Sequence, residues 1–252
     1  MSELLILKPH YRAVILVLAS NENNITKNAR RIWKKYMKID PIIKVYFVYG
    51  KLFEELEDYD STSDLVFNEV KESYPVYIEK TIKAMEYIDS HIKYDFFIRT
   101  NLSTFWDFEK LHLHLNDLPK ERCYSGDGPL PSYNSDGFYL SGTDTIVTPE
   151  MITSIINNKQ FVHYNIVEDA AMGLYFNKHM GVPMLPNRIC FFEDFISIEP
   201  KSQIIEQMIE RIDNAIKNNC DHYRVKTLNG PREQMDMYIY ILLLKSIYNI
   251  QY

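Results

Sequence analysis

The hydrophobic pattern of the chain opens with an unbroken apolar run, Ala13-Val14-Ile15-Leu16-Val17-Leu18-Ala19. It is far short of the ~20 residues that a membrane span requires and reads as a buried strand. Asn21 to Asn24 make a polar loop, and Thr26 or Asn28 caps a helix carrying Ala29, Ile32, Trp33, Tyr36 and Met37 at helical spacing. The stretch Ile42 to Tyr49, rich in β-branched and aromatic residues, is a second strand that stops at Gly50. Glu54 to Asp60 is an acidic, solvated loop, and Leu65-Val66-Phe67 a short strand. After Pro75, the residues Ile78, Thr81, Ile82, Met85 and Ile88 share one helix face, and Tyr94 to Arg99 form the next strand. Strands and helices alternating at these lengths predict an α/β sandwich with a largely parallel sheet. Ligands of such sheets sit beyond the carboxyl ends of the strands.

The middle of the chain changes character. Ser125 to Ser141, including Tyr133-Asn134-Ser135-Asp136-Gly137, is polar and loop-rich; short strands at Phe138 to Leu140 and Thr145 to Val147 flank Ser141-Gly142. Pro149 opens a helix through Met151, Ile152, Ile155 and Ile156, and Glu168-Asp169 precede a helical run from Ala170 to Lys178. Ile204 to Ile216 and the set Tyr238, Ile241, Leu244, Ile247 and Tyr248 repeat apolar side chains at helix spacing. No repeat or linker divides the 252 residues, so the expectation is one domain whose C-terminal part, 187–252, is helical and basic.

Composition narrows the class. At 46% hydrophobic and 25% charged the chain is globular, neither disordered nor fibrous. Its 28 basic and 34 acidic side chains give a net charge of −6, so no global field draws it to nucleic acid or anionic lipid, and a basic site must be local. Ala19-Ser20 would serve as a signal-peptide cleavage site, but the flanking Lys8-Pro9-His10 and the amphipathic run that follows suit a first strand and helix better. Cys123, Cys190 and Cys220 lack CxxC spacing and cannot all pair, which fits a reducing compartment and argues against structural zinc. His112 and His114 have the look of a metal pair; between leucines and without Cys or carboxylate neighbours they read as ordinary alternation of surface and core. Neither G-x-x-x-x-G-K-[ST] nor G-x-G-x-x-G occurs, which weakens a phosphotransferase reading.

Nine segments in order resemble the GT-A-fold β-1,3-glycosyltransferases of the galactosyltransferase and fringe type. Ala29-Arg30-Arg31-Ile32-Trp33 is similar to the family's R-x-x-I-R-x-T-W element and Val45-Tyr46-Phe47-Val48-Tyr49-Gly50 to its F-x-x-G strand. Asp64-Leu65-Val66, Glu72-Ser73-Tyr74 and Glu79-Lys80-Thr81 fall where D-I-L, D-S-Y and L-K-T are expected. Arg99-Thr100-Asn101-Leu102-Ser103-Thr104-Phe105 takes the place of K-T-D-D-D-x-F; Tyr124-Ser125-Gly126, Ser141-Gly142 and Glu168-Asp169-Ala170-Ala171-Met172-Gly173 take those of Y-x-G, S-G-G and E-D-V-x-x-G. The likeness spans about residues 11 to 186. It implies a GT-A, Rossmann-like fold, a mixed, mostly parallel sheet flanked by helices in a single domain. It implies inverting transfer of a sugar from a nucleotide sugar, a UDP-sugar, to a glycan or glycoprotein hydroxyl.

One departure stands out. The family's D-x-D aspartates bind the divalent cation that neutralises the donor diphosphate, and here the positions hold Asn101, Leu102 and Ser103. Mg²⁺ and Mn²⁺ prefer anionic oxygen ligands, so neither is expected as a required cofactor. Either cationic side chains stabilise the diphosphate, or the domain is catalytically silent and only binds sugar or nucleotide. On a strand, His222, Arg224 and Lys226 would share a face, and with Arg232 they are candidates for the phosphates; the plainer reading is a solvated edge strand. His222 also falls where the family has a C-terminal histidine metal ligand.

By the same resemblance Asp169 is the general base that takes the acceptor proton, with Glu168 as fallback; simple capping of the following helix is the alternative. Ala19, Ser20, Asn21 and Glu22 follow the first strand, where the nucleotide is expected, and Asp64 shapes that pocket or caps a turn. Asn101 and Ser103, with Thr100, reach donor hydroxyls or serve the turn; Arg99 reaches phosphate or sugar, or pairs with Asp95 or Asp107. Ser141, Gly142, Thr143 and Asp144 would line the donor and acceptor pocket, with Trp106 stacking on acceptor sugar and Trp33 in the core. Relatives of this type are lumenal with an N-terminal anchor; none is evident here, so the expectation is a cytoplasmic enzyme of viral or microbial source, with neither nucleic acid nor membrane span as partner.

Overall fold

Strand β1 (His10–Leu18) is apolar on both faces, so both faces must be covered, and the chain supplies a layer of helices for each. The computed structural model describes residues 8–52, 54–72, 77–132, 137–187, 190–192, 202–218, 220–227 and 232–252. Ser73, Tyr74, Pro75 and the loop 133–136 lie outside these. After β1 come α1 (Asn24–Tyr36), β2 (Ile43–Tyr49), β3 (Asp64–Val66), α2 (Ile78–His91) and β4 (Lys93–Asn101). The middle holds β5 (Thr104–Trp106), α3 (Phe108–Asp117), β6 (Tyr124–Asp127), β7 (Leu130–Pro131), β8 (Phe138–Tyr139), β9 (Asp144–Val147) and α4 (Pro149–Asn157). Next, α5 (Glu168–Gly173) widens into a π-helical turn over Leu174–His179. The chain ends with β10 (Leu185–Asn187), β11 (Cys190–Phe191), α6 (Ser202–Lys217), β12 (His222–Arg224) and α7 (Arg232–Tyr248).

Seven strands form one sheet in the order β10-β6-β9-β4-β1-β2-β3. Only β9 runs against its neighbours; the other four pairings are parallel, so the sheet is mixed and mostly parallel as expected. The chain steps outward from β1 through β2 to β3 and then crosses back by α2 to β4 on the other side of β1. That reversal makes the carboxyl ends of β1 and β4 the switch point where a crevice opens.

Alternate residues of β1 feed two cores. Ala13, Ile15 and Val17 pack with Trp33 and Tyr36 of α1 and with Met235, Ile239 and Leu243 of α7. Val14 and Leu16 pack with Ile78, Ile82 and Met85 of α2 and with Met151 and Ile155 of α4. The helices of the C-terminal part, 187–252, thus contribute to the same core as β1.

Two expectations change. The Leu-His-Leu-His-Leu segment lies on α3, whose buried positions Phe108, Leu111 and Leu115 follow a helical period while Leu113 is exposed. His112 pairs with Asp40 at 2.5 Å and His114 with Asp221 at 2.6 Å. The cysteines also differ: Cys123 is buried and free, its thiol pushed up to about 12 by burial, but Cys220 is disulfide-bonded. No helix among the described residues is long and apolar enough to cross a membrane.

Candidate functional site

A cavity of about 250 Å³ occupies the switch point. Leu18, Ala19 and Ser20 line it from the end of β1, Ile25, Thr26 and Ala29 from the first turns of α1. Asn23 starts that helix with a reciprocal capping box, its side chain accepting from Thr26 N while Thr26 Oγ1 accepts from Asn23 N. Arg232, Asp236 and Tyr240, spaced by four residues, project from one face of α7 into the same cavity. The floor beyond β4 is the turn Asn101-Leu102-Ser103. Three elements pin this turn: Trp33 Nε1 donates to Leu102 O at 3.1 Å, Tyr240 OH donates to the same oxygen at 3.4 Å, and Val225 N donates to Ser103 O at 2.8 Å. Asn101 and Ser103 therefore present their side chains to the cavity on a fixed backbone.

Among the described residues three cationic side chains line the cavity, each beside a carboxylate. Lys80 Nζ donates to Glu72 Oε1 at 2.6 Å and to Ala19 O at 3.1 Å; burial lowers its pKa against the pull of Glu72. Arg99 forms a buried ion pair with Glu168, whose pKa burial raises against the opposing Arg99 charge. Arg99 also donates to Asn101 Oδ1 at 3.1 Å and to Gly142 O. Arg232 Nε donates to Asp236 Oδ2 at 3.0 Å, while Asp236 Oδ1 accepts from Thr227 N and Oγ1. Gly142 lies under this guanidinium: a Cβ there would run into Arg99 Nη1 and Cζ, so any side chain at 142 shifts Arg99.

Behind this wall stands Asp169, half-buried in the first turn of α5. Its Oδ2 accepts from Gly142 N at 3.1 Å and its Oδ1 from Ala170 N at 2.9 Å. The carboxylate is thus held one residue from the Arg99 contact and also satisfies a first-turn N–H of α5, whose N-cap is Val167. Ser141 is half-buried beside it, whereas Thr143 and Asp144 are buried.

His222 is fully buried between two carboxylates. Nδ1 bonds Asp221 Oδ1 at 2.6 Å, and Nε2 lies 3.2 Å from Asp144 Oδ2, an ion pair whose angle falls short of a hydrogen bond. Burial opposes the charged imidazole, but Asp144 and Asp221 outweigh it and push the pKa up to about 10. The ring stacks on Trp106 at 4.7 Å between centroids, and Trp106 Nε1 donates to Thr100 Oγ1 at 3.2 Å.

The structure brings together Ala19, Ser20, Arg99, Asn101, Ser103 and Arg232 on the cavity, with Thr100 and Glu168 in contact behind them. It does not bring the others there. Trp106 is wholly buried against His222, which removes both it and His222 from the surface where a sugar or phosphate would sit. The strand that was to align His222, Arg224 and Lys226 ends at Arg224, so Lys226 lies past it. Arg224 is half-buried, with its charge felt at Asp127 and Tyr240. Asn21 donates to Glu54 O at 2.9 Å and Glu22 is exposed. Asp64 is buried under Arg30 and Lys34 at 2.8 and 3.3 Å. Arg99 pairs with Glu168; Asp95 and Asp107 instead serve His10 and the cap of α3. Trp33 is in the core as read. The sequence reading gave no role to Glu72, Tyr77, Lys80, Asp236 or Tyr240; the signals were the Lys80-Thr81 match and the four-residue spacing on α7.

The chain matches no protein-family model and no curated protein. Among solved structures 34 chains are similar to it. One is the crystal structure of a glycosyltransferase involved in the glycosylation of the major capsid of PBCV-1, with 10% identity, a TM-score of 0.49, and coverage of 90% of this chain and 98% of that one. A likeness of this size assigns neither family nor activity.

Proposed function

We propose that the chain is an inverting glycosyltransferase of GT-A-like fold that moves a sugar from a nucleotide sugar, a UDP-sugar, to a hydroxyl of a glycan or glycoprotein. The observation that carries this reading is the cavity at the switch point, walled by Lys80, Arg99 and Arg232 and apolar at Leu18, Ile25 and Leu102. The apolar wall suits a nucleoside and the cations suit a diphosphate. At the turn after β4 a divalent cation does not fit: Asn101 and Ser103 offer no anionic oxygen there, and the Asn101 side-chain carbonyl already accepts from Arg99. In this reading Arg99 and Arg232 hold the leaving diphosphate, and Asp169 removes the proton from the acceptor hydroxyl as that oxygen attacks the anomeric carbon.

Calorimetry of UDP-sugars in EDTA and in Mn²⁺ tests the donor site. The expected result is equal affinity in both and a loss of about tenfold in Arg232→Ala, the scale of one charged contact. Absence of binding in both buffers would sink the reading. A silent nucleotide-binding domain is the alternative, favoured by the pairing of each cavity cation with a carboxylate of the protein itself. Product formed by the wild type and lost about 100-fold or more in a folded Asp169→Asn variant excludes it.

A further inference from the structure

Glu72 is unevenly used. Its side chain is 5% exposed and lines the cavity. Oε1 accepts from both Gly50 N, at 2.5 Å, and Lys80 Nζ, at 2.6 Å. Oε2 is buried with no hydrogen-bond partner among the described residues. A buried carboxylate oxygen without a donor is costly, and such an atom in a native site asks for an explanation in function. It sits at the β2 side of the cavity, next to Gly50, whereas Arg99 stands at the end of β4 two strands away in the sheet order.

We propose that Glu72 Oε2 is the acceptor for one hydrogen-bond donor on the nucleoside half of the donor substrate, and so a specificity-determining group. The inference rests on the nucleotide-sugar reading above. With the diphosphate held at Arg99 and Arg232, the nucleoside extends toward β2 and brings a base N–H or a ribose hydroxyl to Oε2. Because Oε1 is taken by two protein donors, the carboxylate offers one acceptor and not the paired acceptors of a free carboxylate. It therefore reads a single donor.

The wild-type protein provides the first test: titration with UDP, N3-methyl-UDP, 2′-deoxy-UDP and 3′-deoxy-UDP. One analogue is expected to bind about 10-fold to 100-fold more weakly than UDP, the span for a hydrogen bond to a charged group. Loss with N3-methyl-UDP identifies the base, and loss with a deoxy analogue identifies the ribose. The second test is Glu72→Gln. Gly50 N and Lys80 both donate toward the Oε1 position, so the amide oxygen takes that place and the amide NH₂ replaces Oε2; this sets donor against donor for a base N–H, whereas a ribose hydroxyl can turn and accept from the NH₂. If N3-methyl-UDP is the discriminating analogue, UDP affinity then falls and the analogue's penalty disappears; if a deoxy analogue is, Glu72→Leu, which neither donates nor accepts, is the variant that removes the penalty. If the wild type binds UDP and all three analogues equally, or if folded Glu72→Gln keeps the full N3-methyl penalty or folded Glu72→Leu the full deoxy penalty, the inference is overturned while the nucleotide-sugar reading stands. If UDP itself does not bind, both fall. Should Glu72→Gln fail to fold, the analogue series on the wild type still decides.

Discussion

At the residue scale the candidate site turns on the crossing of Arg99 over Gly142. The guanidinium reaches over the glycine backbone to touch Gly142 O, Asn101 and Glu168 together, and a side chain at 142 would meet it. Gly142→Ala must displace Arg99, breaking its buried pair with Glu168. The expected cost is about 1–3 kcal/mol of stability, as for other overpacked interiors, together with weakened donor binding; urea unfolding and UDP-sugar calorimetry read the two effects. Unchanged affinity in a destabilised variant would separate Arg99 from the donor. The sequence made both residues visible through the Arg99-to-Phe105 and Ser141-Gly142 matches, yet it could not show that one sits on the other, because 43 positions separate them. Trp106 shows the opposite failure. An aromatic next to a candidate motif invites a stacking role, and only the register of β5 against β12 reveals that His222 occupies its face.

At the element scale, the strands and helices with strong periodicity were legible: β1, β2, β4, α2, α4, α6 and α7 lie close to where the apolar pattern put them. The elements missed are short or carry a misleading pattern. β5 has three residues, too few for a period; β12 was placed as a strand but stops at Arg224; and α3 presents Leu-His-Leu-His-Leu while burying residues three and four apart. The contribution of α7 to the cavity was hidden for another reason, since its helical period was plain but its partner was not. Asp236 fastens that helix, tying Thr227 and Arg232 to it. Asp236→Ala leaves the buried Thr227 N–H without an acceptor and releases Arg232, so a loss of about 1–3 kcal/mol in chemical denaturation is expected. Donor affinity falls with it, whereas Asp236→Asn, which preserves an acceptor for Thr227, retains most of the stability. Equal melting of the two variants would show that the carboxylate's charge, and not its capping of Thr227, holds α7.

At the scale of the whole molecule, His222 joins two sheets. It stands on β12 of the three-stranded sheet, and its partner Asp144 stands on β9 of the seven-stranded one, while Asp221 links both to His114 on α3. The imidazole's pKa is about 10 in the fold, above the ordinary 6.5. Its contribution to stability is therefore full below about 6.5 and is lost as pH rises through about 10. Asp221 has the opposite sign: with its pKa lowered in the fold by His222 and His114 against the effect of burial, its contribution is present above the ordinary 3.8 and is lost as pH falls below that. Buried tyrosines such as Tyr49 and Tyr124, raised by desolvation, add a separate alkaline loss, so the wild-type curve alone does not isolate the histidine. A difference curve does. In His222→Gln the two carboxylates lose their cation, and the variant should be about 3–5 kcal/mol less stable at pH 7, the cost of breaking a buried pair. Because the wild-type imidazole itself loses its proton near pH 10, the gap should narrow between pH 7 and pH 10.5 in urea unfolding, as the tyrosine contribution cancels between the proteins. A gap that stays constant over that range would mean that the ring holds the two sheets together by packing on Trp106 and not by its charge.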